Sequence, residues 1–333
     1  MIVVVQEYGS FIGKRSNRLY MKTGDTEQEL CLEQISELHI YPSCSISSDA
    51  LQICMKKEVW VAFFDRYGNP EGEIVPFSGG CAPIYKRKQL LLIGCEEGVK
   101  LVKEFQCKKI ENRIRQLKQI LRKKRKNETV LYLSVRITKM EEELAHIQNL
   151  QAFSMNDARE HLQGFEGTAG RAYFECISYL LPEDMKFSKR MRNAEDVYNC
   201  ALNYLYGIMY AKIKKMMYQC RLDPYIGIMH VDTYNKPTFV YDFIEGYRII
   251  CEEIAYEICA KQLIKRTDME EVEGRLRFVG TAKNMLVSRF YARMNEKCTY
   301  RRKQISYEKK IYLELLDVAK RIGELKTDVL SAV

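Results

Sequence analysis

No Cys-x-x-Cys pair occurs anywhere in these 333 residues, although the chain holds 12 cysteines. Their spacing matches no zinc ribbon. Most stand among apolar neighbours and read as small buried hydrophobes in a reducing cytoplasm, not as a secreted disulfide framework. No apolar run approaches the roughly 20 residues that a membrane-spanning helix needs. At the N-terminus only residues 2–5 form an apolar run, too short for a signal peptide. Internal repeats and low-complexity segments are absent too. These absences predict a soluble, cytoplasmic protein with no membrane partner.

What is present points to a folded chain with an anionic partner. The length suffices for two domains, each with its own core. A hydrophobic fraction of 47% and 22 tyrosines set it apart from disordered sequences. Lys plus Arg number 53 against 44 for Asp plus Glu, a formal net charge of +9 that favours a polyanion.

The expected fold is α+β: a small β-strand-rich N-terminal domain over residues 1–78, a linker at 79–88, and a larger all-helical catalytic domain over 89–333. Short strands are expected at 2–5, 18–22, 29–32, 37–41, 59–64 and 72–77, with turns at Tyr8-Gly9, Thr23-Gly24-Asp25 and residues 65–70. Ser47 or Ser48 is placed to cap a short helix bearing Leu51, Ile53, Cys54 and Met55. Residues 78–83 concentrate Gly, Ser and Pro, and beyond them strand rhythm gives way to helix rhythm. Residues 104–125 place Phe105, Ile110, Ile114, Leu117 and Leu121 at helical spacing, with Lys108, Lys109, Arg113, Arg115, Lys118 and Arg122 on the other face. That run, extended to Lys126, reads as a solvated basic face. Further helices are expected at 130–153, 194–220, 249–264, 283–296 and 306–325.

The chemistry concentrates in residues 164–174 and 227–248. Glu166, His230, Asp242 and Glu245 stand there in otherwise apolar and aromatic segments. A charge in such surroundings needs a partner, because burying it alone is expensive. A divalent cation satisfies several carboxylates and an imidazole at once. Asp242 and Glu245, three apart, share a face if their segment is helical, and Arg248 follows on the same stripe. Carboxylates suit Mg²⁺ or Mn²⁺, and an imidazole ligand tilts the preference toward Mn²⁺. Such an ion activates a water or a 3′-hydroxyl and stabilises charge on a phosphoryl transition state. Each residue also has a structural reading. Glu166 caps a helix or pairs with Arg171, His230 is a hydrogen-bonded core histidine, and Asp242 and Glu245 face solvent or pair with Arg248. The tyrosines at 198, 204, 206 and 210 read as core or interface.

Several segments, in order, resemble the CRISPR adaptation integrase family, the metal-dependent endonucleases called Cas-one proteins. Residues 164–174 (Gly-x-Glu-Gly-x-Ala-x-Arg-x-Tyr-Phe) are similar to the family's first active-site motif. Asn199 resembles the Asn-centred start of its long helix. Leu222-Asp223-Pro224 through Gly227-Ile228-Met229-His230 resembles its Leu-Asp-Pro…Gly-x-x-His motif, and residues 237–245 resemble the segment ending in the last acidic ligand. Residues 46–51 and 59–68 match its β-domain pattern. Departures occur at Gly170, at Asp196-Val197-Tyr198-Asn199 and at Gly246-Tyr247-Arg248.

The resemblance implies metal ligands Glu166, His230 and Glu245, with Asp242 assisting them or serving as an alternative ligand. Arg171 and Arg248 are expected to contact phosphate or orient ligands. The N-terminal domain is expected to mediate dimerisation and partner contact. Implied partners are double-stranded DNA (a prespacer and the CRISPR repeat), a second copy in a homodimer, and the small Cas-two adaptation protein in a heterohexamer. The implied activity is spacer acquisition by 3′-hydroxyl attack at the repeat boundary. The basic stretch at 297–310, with Arg301 and Arg302, is a further candidate DNA contact. A free-standing nuclease acting on branched or single-stranded DNA and a non-catalytic DNA-binding scaffold are the alternatives.

Overall fold

Short β-branched and aromatic runs fold the beginning of the chain into strands, as their composition predicts. In the computed structural model the described residues are 2–35, 37–66, 70–74, 83–123, 126–192, 194–272 and 275–326. The chain divides into two compact units, Met1–Ala82 with Tyr218–Arg221, and Pro83–Met217 with Leu222–Val333.

The first unit holds two four-stranded sheets. Strands β1 (Ile2–Val5), β5 (Glu37–Ile40) and β7 (Trp60–Phe64) run parallel, and β8 (Pro70–Ile74) closes that sheet antiparallel. The second sheet has the order β4 (Thr26–Leu30), β3 (Arg18–Thr23), β2 (Phe11–Arg15), β6 (Ser45–Ile46). Helix α1 (Ser48–Lys56) is capped by Ser47, whose Oγ accepts the Ala50 N–H at 3.2 Å. Ile12, Leu19, Leu38 and Val61 from both sheets bury fully with Ala50 and Cys54 from α1. Strand β2 was not expected. It carries Gly13, whose place opposite Tyr20 is fixed by space, since a Cβ there would stand 2.3 Å from the Tyr20 ring.

The second unit is mostly helical: α2 (Pro83–Leu91), α3 (Glu96–Leu121), α4 (Asn127–Asn149), α5 (Met155–Leu180), α6 (Val197–Gln219), α7 (Thr238–Ile244), α8 (Arg248–Ala260), α9 (Gly280–Asn295) and α10 (Tyr307–Glu324). Residues 83–88, expected as linker, form part of α2, because Pro83 at its first position pre-sets the helical φ and gives up no needed N–H. The rest of that linker, residues 75–77 of the expected last strand, and Lys124 and Arg125 of the basic run lie outside the described residues. The unit is not wholly helical. Two hairpins interrupt it, β9 (Met269–Val272) with β10 (Arg275–Phe278), and β11 (Lys297–Tyr300) with β12 (Lys303–Ser306). They are charged and narrow, so no apolar alternation announces them.

Two of the expected absences bear on the interior. Among the described residues no helix is long and apolar enough to cross a membrane. The described cysteines are free thiols, six of them buried, and burial pushes Cys176, Cys200, Cys220 and Cys259 up to about 12.

Candidate active site

Helix α3 builds the floor of the site. Its buried face carries the expected Phe105, Ile110, Ile114 and Leu117 and adds Val102, while Leu121, also expected there, is only half-buried. The same face also carries Gln106, Lys109, Arg113 and Gln116. These four recur at spacings of three and four, so they form one polar stripe on the apolar face. The expectation of a solvated basic face therefore fails at Lys109 and Arg113, whose side chains are only 4% exposed. Adjacent residues on a helix point about 100° apart. Lys108 accordingly turns to the other side, pairing with Glu314 and lying 3.9 Å above the Tyr247 ring.

Lys109 sits between the two acidic segments. Its ammonium pairs with Glu166 Oε1 from α5 and stands 2.5 Å from Glu245 Oε2. Glu166 lies mid-helix in α5, which begins at Met155 under a Ser154 cap and runs through Gly164 and Gly167. It therefore caps nothing, and its partner is Lys109 where Arg171 was the alternative; Arg171 is exposed. Glu245 begins a 3₁₀ turn, Glu245–Tyr247, which joins α7 to α8 and swings Arg248 back over it. Arg248 bonds Glu245 Oε1 at 2.9 Å and the Tyr210 hydroxyl at 3.1 Å, and packs 4.7 Å from the centre of the Tyr206 ring. That arrangement makes Arg248 an orienting residue for Glu245. Burial works against the Glu245 charge, but Arg248 and Lys109 hold its carboxyl well below the usual range. Arg248 is reciprocally held cationic despite its own burial.

His230 comes from the loop between α6 and α7. Gly227 allows the tight fold of this loop, since a Cβ there would stand 2.4 Å from the His230 carbonyl oxygen and 2.8 Å from Thr238. From α5, Arg159 donates to the carbonyls of Met229 (2.9 Å) and Ile228 (3.2 Å). Asp242, 2% exposed on α7, holds the loop from within. Its Oδ2 accepts the N–H groups of Ile228 (2.6 Å) and Met229 (3.2 Å), and its Oδ1 accepts the His230 N–H (3.0 Å) and contacts His230 Nδ1 at 2.7 Å. Four contacts fill both oxygens, so Asp242 fixes the ring and leaves Nε2 as its outward nitrogen. Burial presses the imidazole toward neutrality, but Asp242 and Glu245 together raise its pKa above the ordinary value.

A second buried cluster adjoins the first. Arg113 forks onto Glu252, with Nε at 3.0 Å from Oε2, and the Tyr206 hydroxyl donates to Glu252 Oε1 at 2.8 Å. Beyond it the Tyr173 hydroxyl donates to Gln116 Oε1 at 2.6 Å. Asn199 is fully buried, accepting from Met191 N and Arg190 while donating to Lys189 O and Asp196, and so ties the segment ahead of α6 to that helix. Tyr198 and Tyr206 are core, as expected. Arg301 and Arg302 form the tip between β11 and β12, where Arg302 is exposed and Arg301, 66% exposed, pairs with Asp317 at 2.5 Å.

Sequence reasoning missed Lys109, Arg113, Glu252 and Arg159. Lys109 hid in a run of basic residues, and the signal that finds it is the repeat of polar residues on an apolar stripe.

The donors suit a hard or borderline divalent cation: two carboxylates and one imidazole with its second nitrogen tied. Among the described residues no three His, Cys, Asp or Glu side chains are gathered as a finished cage. Lys109 holds the position between the two carboxylates. Glu245 Oε2 is buried against that ammonium at 2.5 Å, an anionic oxygen of the kind that a cation satisfies. The residues fit the ion by chemistry, with an ammonium in the place of its charge.

A β-rich unit followed by a mostly helical one is a fold shared with solved structures. A CAS1 protein from Thermotoga maritima shares the fold with a TM-score of 0.77 at 19% identity, over 98% of each chain. A casposase bound to integration product shares it with a TM-score of 0.76 at 20% identity, over 98% of this chain and 92% of that one. The chain belongs to the family described as CRISPR associated protein Cas1, whose sequence model matches residues 3–305. A CRISPR-associated endonuclease Cas1 of Archaeoglobus fulgidus is 28% identical over 96% of this chain and 95% of its own length. Another, from Saccharolobus solfataricus, is 30% identical over 74% of this chain and 71% of its own.

Proposed function

We propose that this protein is a CRISPR adaptation integrase that joins short DNA fragments to the repeat boundary of a CRISPR array. The observation that carries this is the meeting of Glu166 and Glu245 on one cationic position, in a chain of the Cas1 family, beside a histidine held by Asp242. Support comes from the relatives named as endonucleases and from the likeness to a casposase bound to integration product.

Glu166, Glu245 and His230 Nε2 would hold Mg²⁺ or Mn²⁺. When bound, such an ion supplies charge to the attacking oxygen and to the phosphoryl group. Asp242 keeps Nδ1 engaged, so that Nε2 is the donor nitrogen. Arg248 keeps Glu245 ionised and aimed. In the reaction a DNA 3′-oxygen bonds to phosphorus while the bond from that phosphorus to the bridging 3′-oxygen of the repeat breaks. The proton leaves the attacking hydroxyl and, through solvent, ends on the departing one. No covalent protein intermediate forms. Arg171, Arg301 and Arg302 are exposed cations suited to DNA phosphates. The β-rich unit is assigned dimerisation and contact with a small adaptation partner. The partner assignment draws on the likeness to a chain of a Cas6-RT-Cas1–Cas2 complex, with a TM-score of 0.77 at 19% identity, covering 98% of this chain and 35% of that one.

The test combines a short duplex bearing free 3′-hydroxyls, a supercoiled plasmid carrying a CRISPR repeat, Mn²⁺ or Mg²⁺, and the partner. Joined products are expected with wild type and lost in Glu166→Ala, in His230→Ala and on blocking the 3′-hydroxyl. Metal-dependent cutting without joining would replace the integrase with a nuclease. Neither joining nor cutting would leave a binding scaffold.

A further inference from the structure

We infer that Lys109 is an internal stand-in for the divalent ion: its ammonium holds Glu166 and Glu245 in the metal-free protein and is displaced from between them when the ion binds. This rests on the metal-site reading of Glu166, His230 and Glu245.

Geometry is the first ground. Lys109 is 4% exposed, yet its ammonium reaches a carboxylate on α5 and another on the turn between α7 and α8. Glu166 and Glu245 lie 79 residues apart in sequence, since 245 − 166 = 79, and one side chain brings them together. Two carboxylates facing each other without a cation repel, and each would lose solvation without recompense.

Charge is the second ground. Lys109 and Arg248 supply two positive charges against the two negative charges of Glu166 and Glu245. Those two carboxylates are thus balanced as they stand. A dication added between the same carboxylates would meet an ammonium a few ångströms away in a poorly screened site, where like charges repel strongly. Arg248 is pinned by Glu245, Tyr210 and the Tyr206 ring. Lys109 is a point charge on a flexible four-carbon stem, and its ion pairs are with the two carboxylates that the metal would take. It is the cation that yields.

The test measures Mn²⁺ affinity by the loss of the free-ion EPR signal, together with the thermal midpoint in chelator and in Mn²⁺. Wild type, Lys109→Met, Lys109→Arg and His230→Ala are compared. Lys109→Met is expected to melt below wild type in chelator, to bind Mn²⁺ about tenfold more tightly, and to gain more from Mn²⁺ than wild type does. Lys109→Arg is expected to bind Mn²⁺ less tightly than wild type, because a guanidinium grips carboxylates with a planar fork. Should Lys109→Met fail to fold without metal, the arginine variant still decides. Mn²⁺ affinity unchanged or weakened in Lys109→Met, or unchanged or strengthened in Lys109→Arg, would overturn the inference while His230→Ala shows the metal site standing. Binding that His230→Ala leaves intact would overturn the metal reading and this inference together.

Discussion

Asp242→Asn gives the sharpest test of how the His230 loop is held. The carboxylate serves four contacts, two on each oxygen: Ile228 N and Met229 N on Oδ2, His230 N and Nδ1 on Oδ1. Asparagine is nearly isosteric but offers one oxygen and one amide nitrogen. At the Oδ2 position the nitrogen faces the N–H groups of Ile228 and Met229; at the Oδ1 position it faces the His230 N–H and Nδ1, and a neutral imidazole can turn Nδ1 into an acceptor by changing tautomer. No water replaces the lost acceptor at 2% exposure. A buried donor left unmet costs about 1–3 kcal/mol, so the one or two left unmet cost roughly 1–6 kcal/mol. At the low end that is about fivefold in a local opening equilibrium. Native-state hydrogen exchange reads it directly. The amides of Ile228, Met229 and His230 are expected to exchange at least about fivefold faster in the variant, and urea unfolding is expected to shift to lower midpoint. Metal affinity is expected to fall by roughly 10- to 100-fold although Glu166, His230 and Glu245 remain, because the ring loses its orientation. If those amides exchange within about threefold of wild type, the claim that Asp242 organises the loop is refuted, whatever happens to activity.

The helices of the second unit were legible because their apolar positions keep helical spacing over many turns, as in α3 and α10. Ser47 was legible as a cap because a hydroxyl ahead of an apolar-periodic run has few other uses. Strand β2 was not, since Gly13, Lys14 and Arg15 lack β-branched character, and the glycine is present for the Tyr20 ring of the neighbouring strand. The hairpin β11–β12 was read as a basic tail. Its tip is Arg301-Arg302, with φ of +48° and +66° where Asn-Gly is the usual choice, so no local signal marks the turn.

At the site, an acid or imidazole in an apolar segment is conspicuous, and Glu166, His230, Asp242 and Glu245 stood out for that reason. The family resemblance implied that Asp242 assists the other three or is an alternative ligand, but residue pattern alone hid their division of labour, because it depends on which oxygen meets which donor. Asp242 is spent on three backbone N–H groups and an imidazole, a use that only the fold of the loop reveals. Lys109 and Glu252 were hidden for a different reason. Each has a twin beside it, Lys108 or Glu253, and composition does not tell which of two neighbours turns inward. Only the phase of the helix decides.

Two perturbations away from the ligands complete the tests. Burial pushes the Glu252 carboxyl up, but Arg113 and the Tyr206 hydroxyl pull it below its ordinary value of 4.5. A depressed carboxylate lends stability that is fully present above 4.5 and is lost as pH falls through the lower, folded-state value. Glu252→Gln is therefore expected to cost about 3–5 kcal/mol near neutral pH and to show a flatter acid-unfolding profile below 4.5. A profile as steep as wild type would exclude Glu252 as a contributor. The tip of β11–β12 separates binding from folding. Both arginines adopt the left-handed backbone of a type I′ turn, a strain of about 1–2 kcal/mol for each non-glycine residue. Against that stand the exposed Arg301–Asp317 pair and the Tyr300 ring, 5.0 Å from the Arg301 guanidinium, contacts that solvent screens. Arg301→Asn with Arg302→Gly should thus hold or raise the unfolding midpoint. If the two arginines meet DNA phosphates, the same change should flatten the slope of log affinity against log salt by roughly 0.9 per contact, about 1.8 in all. Duplex binding followed by anisotropy across a salt series gives that slope. A hairpin that becomes more stable while the slope stays fixed would mean that the strain is kept for something other than DNA.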